Sequence, residues 1–136
     1  MSRIKGRDTS PELAVRSILH RLGFRFRLHS RNLIGKPDIV LPRYGTVVFV
    51  HGCFWHRHAK CRFATMPKTR KAFWLAKFAA NVARDRQVKR QLARHGWRVV
   101  TVWACSLEKP ERLVRFLRGT IQTDNVVPRA SKILKR

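Results

Sequence analysis

The chain has 136 residues, and its 31 lysines and arginines stand against 7 acids, for a formal net charge of +24. Hydrophobic residues make up 44% and aromatics 10%. That is enough for a packed core and excludes a purely disordered chain, which needs high charge with low hydrophobicity. The longest apolar runs, such as Val47 to Val50, fall far short of the roughly 18–20 residues of a membrane span. The opening Met-Ser-Arg-Ile-Lys-Gly-Arg has no apolar signal segment. Three cysteines are too few, and odd in number, for a disulfide scaffold, which points to a reducing, cytoplasmic setting. A single domain over residues 1–136 with a polyanionic partner is expected, and 21 of the 31 cations are arginines, whose forks suit phosphate.

Residues 1–9 read as a basic arm. Thr9/Ser10, Pro11 and Glu12 make a helix start of cap, N1 proline and early acid. Val15, Ile18, Leu19 and Leu22 continue at helical spacing to a stop at Gly23. Phe24 to His29 alternates apolar and basic, which predicts a strand with one wet face. The runs 38–41 and 46–50, joined by Pro42-Arg-Tyr-Gly45, predict two central strands buried on both faces. Residues 51–67 are irregular and hold most of the Cys and His. A long helix over 69–94 follows, with Phe78, Val82, Val88 and Leu92 on one side and Gly96 past its end. Then come a strand over 97–103, a short helix over 108–118 and a basic tail over 120–136. The order α-β-β-β-α-β-α predicts an α/β fold, a mixed sheet flanked by helices.

Seven carboxylates leave few candidates for a hard-metal site. Closing the hairpin on its turn sets Leu41 against Thr46, so Asp38 falls near Phe49, beside the Val50–His51 end of the next strand. A carboxylate next to a backbone carbonyl and an imidazole suits Mg²⁺, which can polarise a phosphate and help activate water. Cys53, His58, Cys61 and Cys105 have the chemistry of a Cys₃His zinc site that would tether the irregular segment. His51 and His56 then remain for proton transfer, although His56 and His58 are close enough in sequence to exchange roles. Phe54, Trp55, Phe73 and Trp74 stand between basic residues, where aromatics can wedge between base pairs or stack on bases. Phe73 and Trp97 are expected in the core. Asp85, one turn past Val82 on the long helix, is expected to pair structurally with an arginine.

With these residues in view, the chain resembles the very short patch repair (Vsr) endonucleases. The matching stretches are Gly-Arg-Asp-Thr-Ser-Pro-Glu (6–12), Gly-Lys-Pro-Asp (35–38), Val-Val-Phe-Val-His-Gly-Cys-Phe-Trp-His (47–56), Pro-Lys-Thr-Arg-Lys-Ala-Phe-Trp (67–74), Asn-Val-Ala-Arg-Asp (81–85) and Gly-Trp-Arg-Val-Val-Thr-Val-Trp-Ala-Cys (96–105). The resemblance implies a restriction-endonuclease-like fold with a structural Zn²⁺. It also implies Mg²⁺-dependent nicking of DNA on the 5′ side of the thymine in T:G mismatches, which arise by deamination of 5-methylcytosine. By the same resemblance, Asp38 and the Val50 carbonyl are the Mg²⁺ ligands, His56 the water-activating base, His51 the second catalytic histidine and Glu12 a supporting acid. Cys53, His58, Cys61 and Cys105 resemble the zinc ligands. Phe54, Trp55 and Trp74 resemble the residues inserted at the mismatch, with Lys77, Asn81 and Arg3 holding the DNA. The Glu-x-Lys usual in restriction-type nucleases is missing after the strand ending at Val50, and the histidines replace it.

The expected partner is double-stranded DNA with a T:G mismatch, with mismatch-repair proteins as further candidates. The expected setting is the prokaryotic nucleoid, and the expected state is a monomer without membrane contact. Two other readings compete: a related nuclease without T:G specificity, and a zinc-stabilised DNA-binding module without catalysis.

Overall fold

A computed structural model of the chain describes residues 9–28 and 32–122. Seven main elements follow one another: α1 (Ser10–Arg21), β1 (Arg27–Leu28), β2 (Ile39–Leu41), β3 (Thr46–His51), α2 (Lys71–Arg94), β4 (Arg98–Trp103) and α3 (Pro110–Gln122). This is the expected order. The four strands form one sheet in the order β1-β2-β3-β4. β1–β2 and β2–β3 are antiparallel, and β3–β4 is parallel. Arg3, most of the basic arm, His29 and the tail beyond Gln122 lie outside the described residues.

Helix ends follow the sequence signals. The Thr9 hydroxyl accepts from the Glu12 N–H at 3.4 Å, with proline in the first turn. α1 and α2 both close on a left-handed glycine, Gly23 (φ +89°) and Gly96 (φ +91°). In each case the next residue, Phe24 or Trp97, donates its N–H back to Leu19 or Leu92, at 3.0 and 3.1 Å. This is the 6→1 bond of a Schellman ending, which places a hydrophobe just past the glycine. Both aromatics are buried. That ending also shortens the strand expected over 24–29. Phe24 caps α1 and packs edge-on against Tyr44, with centroids 5.2 Å apart, so among the described residues of this stretch Arg27 and Leu28 are the ones that reach the ladder. At the other end of the chain, α3 runs to Gln122, which takes the first residues of the expected tail into a helix. Leu117 and Ile121 there are fully buried.

The sheet is covered on both faces, as the apolar runs predict. Alternation sends Ile39, Leu41, Val48, Val100 and Val102 to one face, against Val15, Ile18 and Leu19 of α1 and Leu113, Leu117 and Ile121 of α3. Val40, Val47, Phe49 and Val99 face the other way, against Val88 and Leu92 of α2 and Trp97. Only the second half of α2 packs on the sheet in this way. Its first half carries Phe78, which sits beneath the irregular 52–70 segment in contact with Phe54 and Trp74. Among the described residues no helix is long and apolar enough to cross a membrane.

Candidate active site and metal cluster

The hairpin register is the one the turn dictates. Leu41 pairs with Thr46 and Ile39 with Val48, so the next step places Asp38 beside Phe49. The Asp38 carboxylate accepts the Val50 N–H at 2.7 Å. It opens into a cleft of about 550 Å³ that Glu12, Val50, His51, His56 and Asp85 also line. Burial pushes the Asp38 carboxyl up to about 7, and nearby Glu12 adds to this against the Val50 N–H, which holds it down. Glu12 is buried, with Arg16 3.6 Å away. A carboxyl withdrawn from water beside a second acid is favoured in its charged form by a nearby cation. Asp38 and the Val50 carbonyl at the strand end therefore fit a hard divalent ion.

His51 and His56 stack face to face, with centroids 3.8 Å apart and planes 5° from parallel. Burial first, and then His56, pushes His51 down to about 4, so it is a neutral imidazole at neutral pH. Its Nδ1 is buried without a hydrogen-bond partner among the described residues. Asp85 is the residue whose partner sequence reasoning missed. Instead of pairing with an arginine, its Oδ2 lies 2.7 Å from His56 Nδ1. The reason is topological: α2 crosses the end of β3 and brings its midpoint over the 52–58 turn. The signal available in sequence was the Asn-Val-Ala-Arg-Asp stretch, which gives a helix position but no partner. Asp85 accepting from Nδ1–H leaves Nε2 with its lone pair free to take a proton. His51, His56 and Asp85 are close enough to share an ion. The His56–Asp85 contact beside a second imidazole is chemically suited to proton handling.

The second cluster lies on the other side of the same turn. Donor atoms of Cys53, His58, Cys61 and Cys105 all fall within 4.8 Å of one another, and His58 Nδ1 is 3.4 Å from Cys105 Sγ. The structure thus separates the two histidines that their spacing left interchangeable: His56 faces the cleft and His58 the thiols. Trp103 stacks flat on His58 at 4.3 Å. Desolvation and then the neighbouring thiols push Cys105 up to about 12, while the Phe63 backbone N–H holds Cys61 below the usual thiol range. Three crowded thiols with one imidazole suit a tetrahedral zinc, which takes them as thiolates.

The aromatics gather where the long helix meets the turn. Trp55 and Trp74 rings lie 5.8 Å apart, and Phe54 packs edge-on against Trp55. Phe73 is 45% exposed rather than in the core, because the first turn of α2 stands clear of the sheet. Trp97 is buried as expected. Lys77 is exposed on α2. Asn81 donates to the Trp55 carbonyl at 3.2 Å and accepts from Arg84 at 2.6 Å, so it fastens the aromatic turn to the helix.

The fold has a counterpart among solved nucleases. The catalytic domain of the homing endonuclease I-Bth0305I superposes with a TM-score of 0.56 over 82% of this chain and 93% of that one, at 18% identity. A family model described as DNA mismatch endonuclease Vsr matches residues 1–62. The type II nicking enzyme V.XorIIP of Xanthomonas oryzae pv. oryzae is 48% identical, covering 89% of this chain and 88% of that one. The type II nicking enzyme V.NmeAIP of Neisseria meningitidis is 43% identical over 89% of this chain and 91% of that one. The DNA mismatch endonuclease Vsr of Escherichia coli is 44% identical over 83% of this chain and 72% of that one. The chain belongs to the Vsr family and is a DNA endonuclease.

Proposed function

We propose that this endonuclease nicks one strand on the 5′ side of the thymine in T:G mismatches, with Mg²⁺ at Asp38 and a structural zinc at the Cys₃His cluster. The observation that carries the reading is the His56–Asp85 pair, 2.7 Å apart, in the same cleft as the Asp38 carboxylate. In this reading Asp38 and the Val50 carbonyl hold the cation. When bound, it supplies charge stabilisation at the phosphate and the leaving oxygen. His56, oriented by Asp85, takes the proton of the attacking water on Nε2. His51, kept neutral by burial, hydrogen-bonds in the cleft without adding charge. Glu12 shares the buried environment of Asp38 and raises its demand for the metal. Phe54, Trp55 and Trp74 wedge into the duplex at the mismatch, offsetting an unstacking cost of a few kcal/mol. Lys77, Asn81 and Arg3 contribute to holding the DNA.

End-labelled duplexes, matched and carrying T:G, incubated with and without Mg²⁺, test this directly. Nicking confined to T:G duplexes with Mg²⁺ is the expected result. Equal nicking of matched duplexes would favour the second reading, a nicking nuclease without mismatch preference. That reading draws support from the two relatives named type II nicking enzymes. Binding without cleavage under any divalent ion would refute both.

A further inference from the structure

Arg57 stands between the two histidines that serve different sites, and none of the roles above uses it. Residues two apart in extended chain point the same way, so an extended His-Arg-His would send both rings to one side. The chain avoids this by passing through a left-handed conformation at Arg57, φ +52°. A side chain disfavours that conformation, which persists only where the surroundings impose it. Here the Arg57 side chain supplies the surroundings. Its Nη1 donates to the carbonyls of Phe54 at 3.1 Å and Thr65 at 2.9 Å, and its Nη2 to that of Ala64 at 3.1 Å. Its guanidinium centre lies 4.0 Å from the Phe78 ring centroid on α2. One planar cation thus joins the aromatic turn, the far side of the cysteine loop and the helix beneath. Such loop carbonyls have no ladder partners of their own, and a guanidinium fork satisfies several where an ammonium cannot.

We infer that Arg57 is the positioning residue that splits the turn, turning His56 toward the catalytic cleft and His58 toward the thiol cluster, and locks both to α2. The inference rests on the roles proposed for His56 and His58. It predicts that one side chain sets catalytic turnover and zinc retention together, without touching DNA.

The test compares wild type with Arg57→Gly, which keeps the left-handed backbone and loses the guanidinium, and Arg57→Lys, which keeps only the charge. Three readouts apply: steady-state nicking, the rate of zinc loss to a chelator, and amide hydrogen exchange by mass spectrometry over residues 52–65. For both variants kcat should fall about 10–100-fold, with KM for DNA held within about twofold. Zinc loss should be faster by about tenfold or more in both. The His56 and His58 amides, bonded to the Gly52 and Cys53 carbonyls at 3.1 Å each, should exchange faster. A raised KM in Arg57→Gly that Arg57→Lys restores, with unchanged exchange, would make Arg57 a phosphate contact and overturn the inference. A lowered melting temperature with unchanged kcat and zinc retention would overturn it as well. A wild type that nicks no duplex would contradict the proposed activity, and the exchange comparison would still decide the role of Arg57.

Discussion

Replacing Asp38 by Asn should abolish nicking and yet make the Mg²⁺-free protein more stable at pH 8. The carboxyl is pushed up from 3.8 to about 7 by burial and by Glu12. An acid whose folded value lies above its unfolded value stabilises the fold only when protonated. That contribution is complete below about pH 3.8 and is lost as the pH rises through about 7. At ~1.4 kcal/mol per unit the whole shift would be worth ~4 kcal/mol. Water in the open cleft screens the charge, and the unfolded chain is not interaction-free, so ~1–2 kcal/mol is the working figure. For a chain of this size that corresponds to a gain of about 3–10 °C in melting temperature at pH 8. Asn still accepts the Val50 N–H through its amide oxygen, so the strand pairing survives. Melting curves of both proteins in Mg²⁺-free buffer, from pH 4 to pH 8, check the claim. The variant should be ahead at pH 8 and the two should converge near pH 4. Mg²⁺ should raise the melting temperature of the wild type and not of the variant, since only a ligand that binds the folded state through Asp38 distinguishes them. A variant less stable than wild type at pH 8, or a gap independent of pH, would refute the reasoning.

Other consequences follow from the same geometry. Asp85→Asn should slow single-turnover nicking by about 10²–10⁴-fold with DNA affinity intact, because His56 loses both its tautomer control and the charge that stabilises its protonated form. A loss confined to binding would point elsewhere. His51→Phe should flatten the acid limb of the stability curve. Burial holds His51 at about 4, so the wild type loses stability as pH falls from about 6.5 and the unfolded chain takes up the proton the fold refuses. Melting from pH 7 to pH 4 shows whether that limb survives the substitution. Cys105→Ala should lower zinc content below one ion per chain and cost several kcal/mol of stability, read by metal analysis and thermal melting. Unchanged melting would remove the structural role of the metal. Trp55→Ala should lower affinity for T:G duplexes more than for matched ones, by about 1–3 kcal/mol of stacking, as measured by titration at fixed salt.

Local signals in the sequence located most of these features. The helix boundaries of α1 were readable because Thr9, Pro11 and Gly23 act through their own backbone geometry. The position of Asp38 beside Val50 was readable because a tight turn at 42–45 leaves one register, and Leu41 opposite Thr46 then determines every neighbour. Asp85 was not readable in this way. Its partner His56 is 29 residues away, and the contact exists only because α2 packs Leu92 and Val88 on the sheet and so carries Asp85 over the turn. Phe73 was misplaced for a related reason. Helical periodicity identifies an apolar face, but not how far along that face the sheet extends.

The amino-acid sequence alone therefore determined the element order, the hairpin register, the inventory of thiols, imidazoles and acids, and a basic character suited to a polyanionic partner. These depend on composition and on interactions within a few residues. The tertiary structure decided what spacing leaves open, which histidine faces which cluster. One residue, Arg57, lies between His56 and His58, and their spacing does not distinguish them. The left-handed backbone at Arg57 and the crossing of α2 send one ring to Asp85 and the other to Cys105. Division of a short motif between two sites is a property of long-range packing, which a linear pattern does not encode.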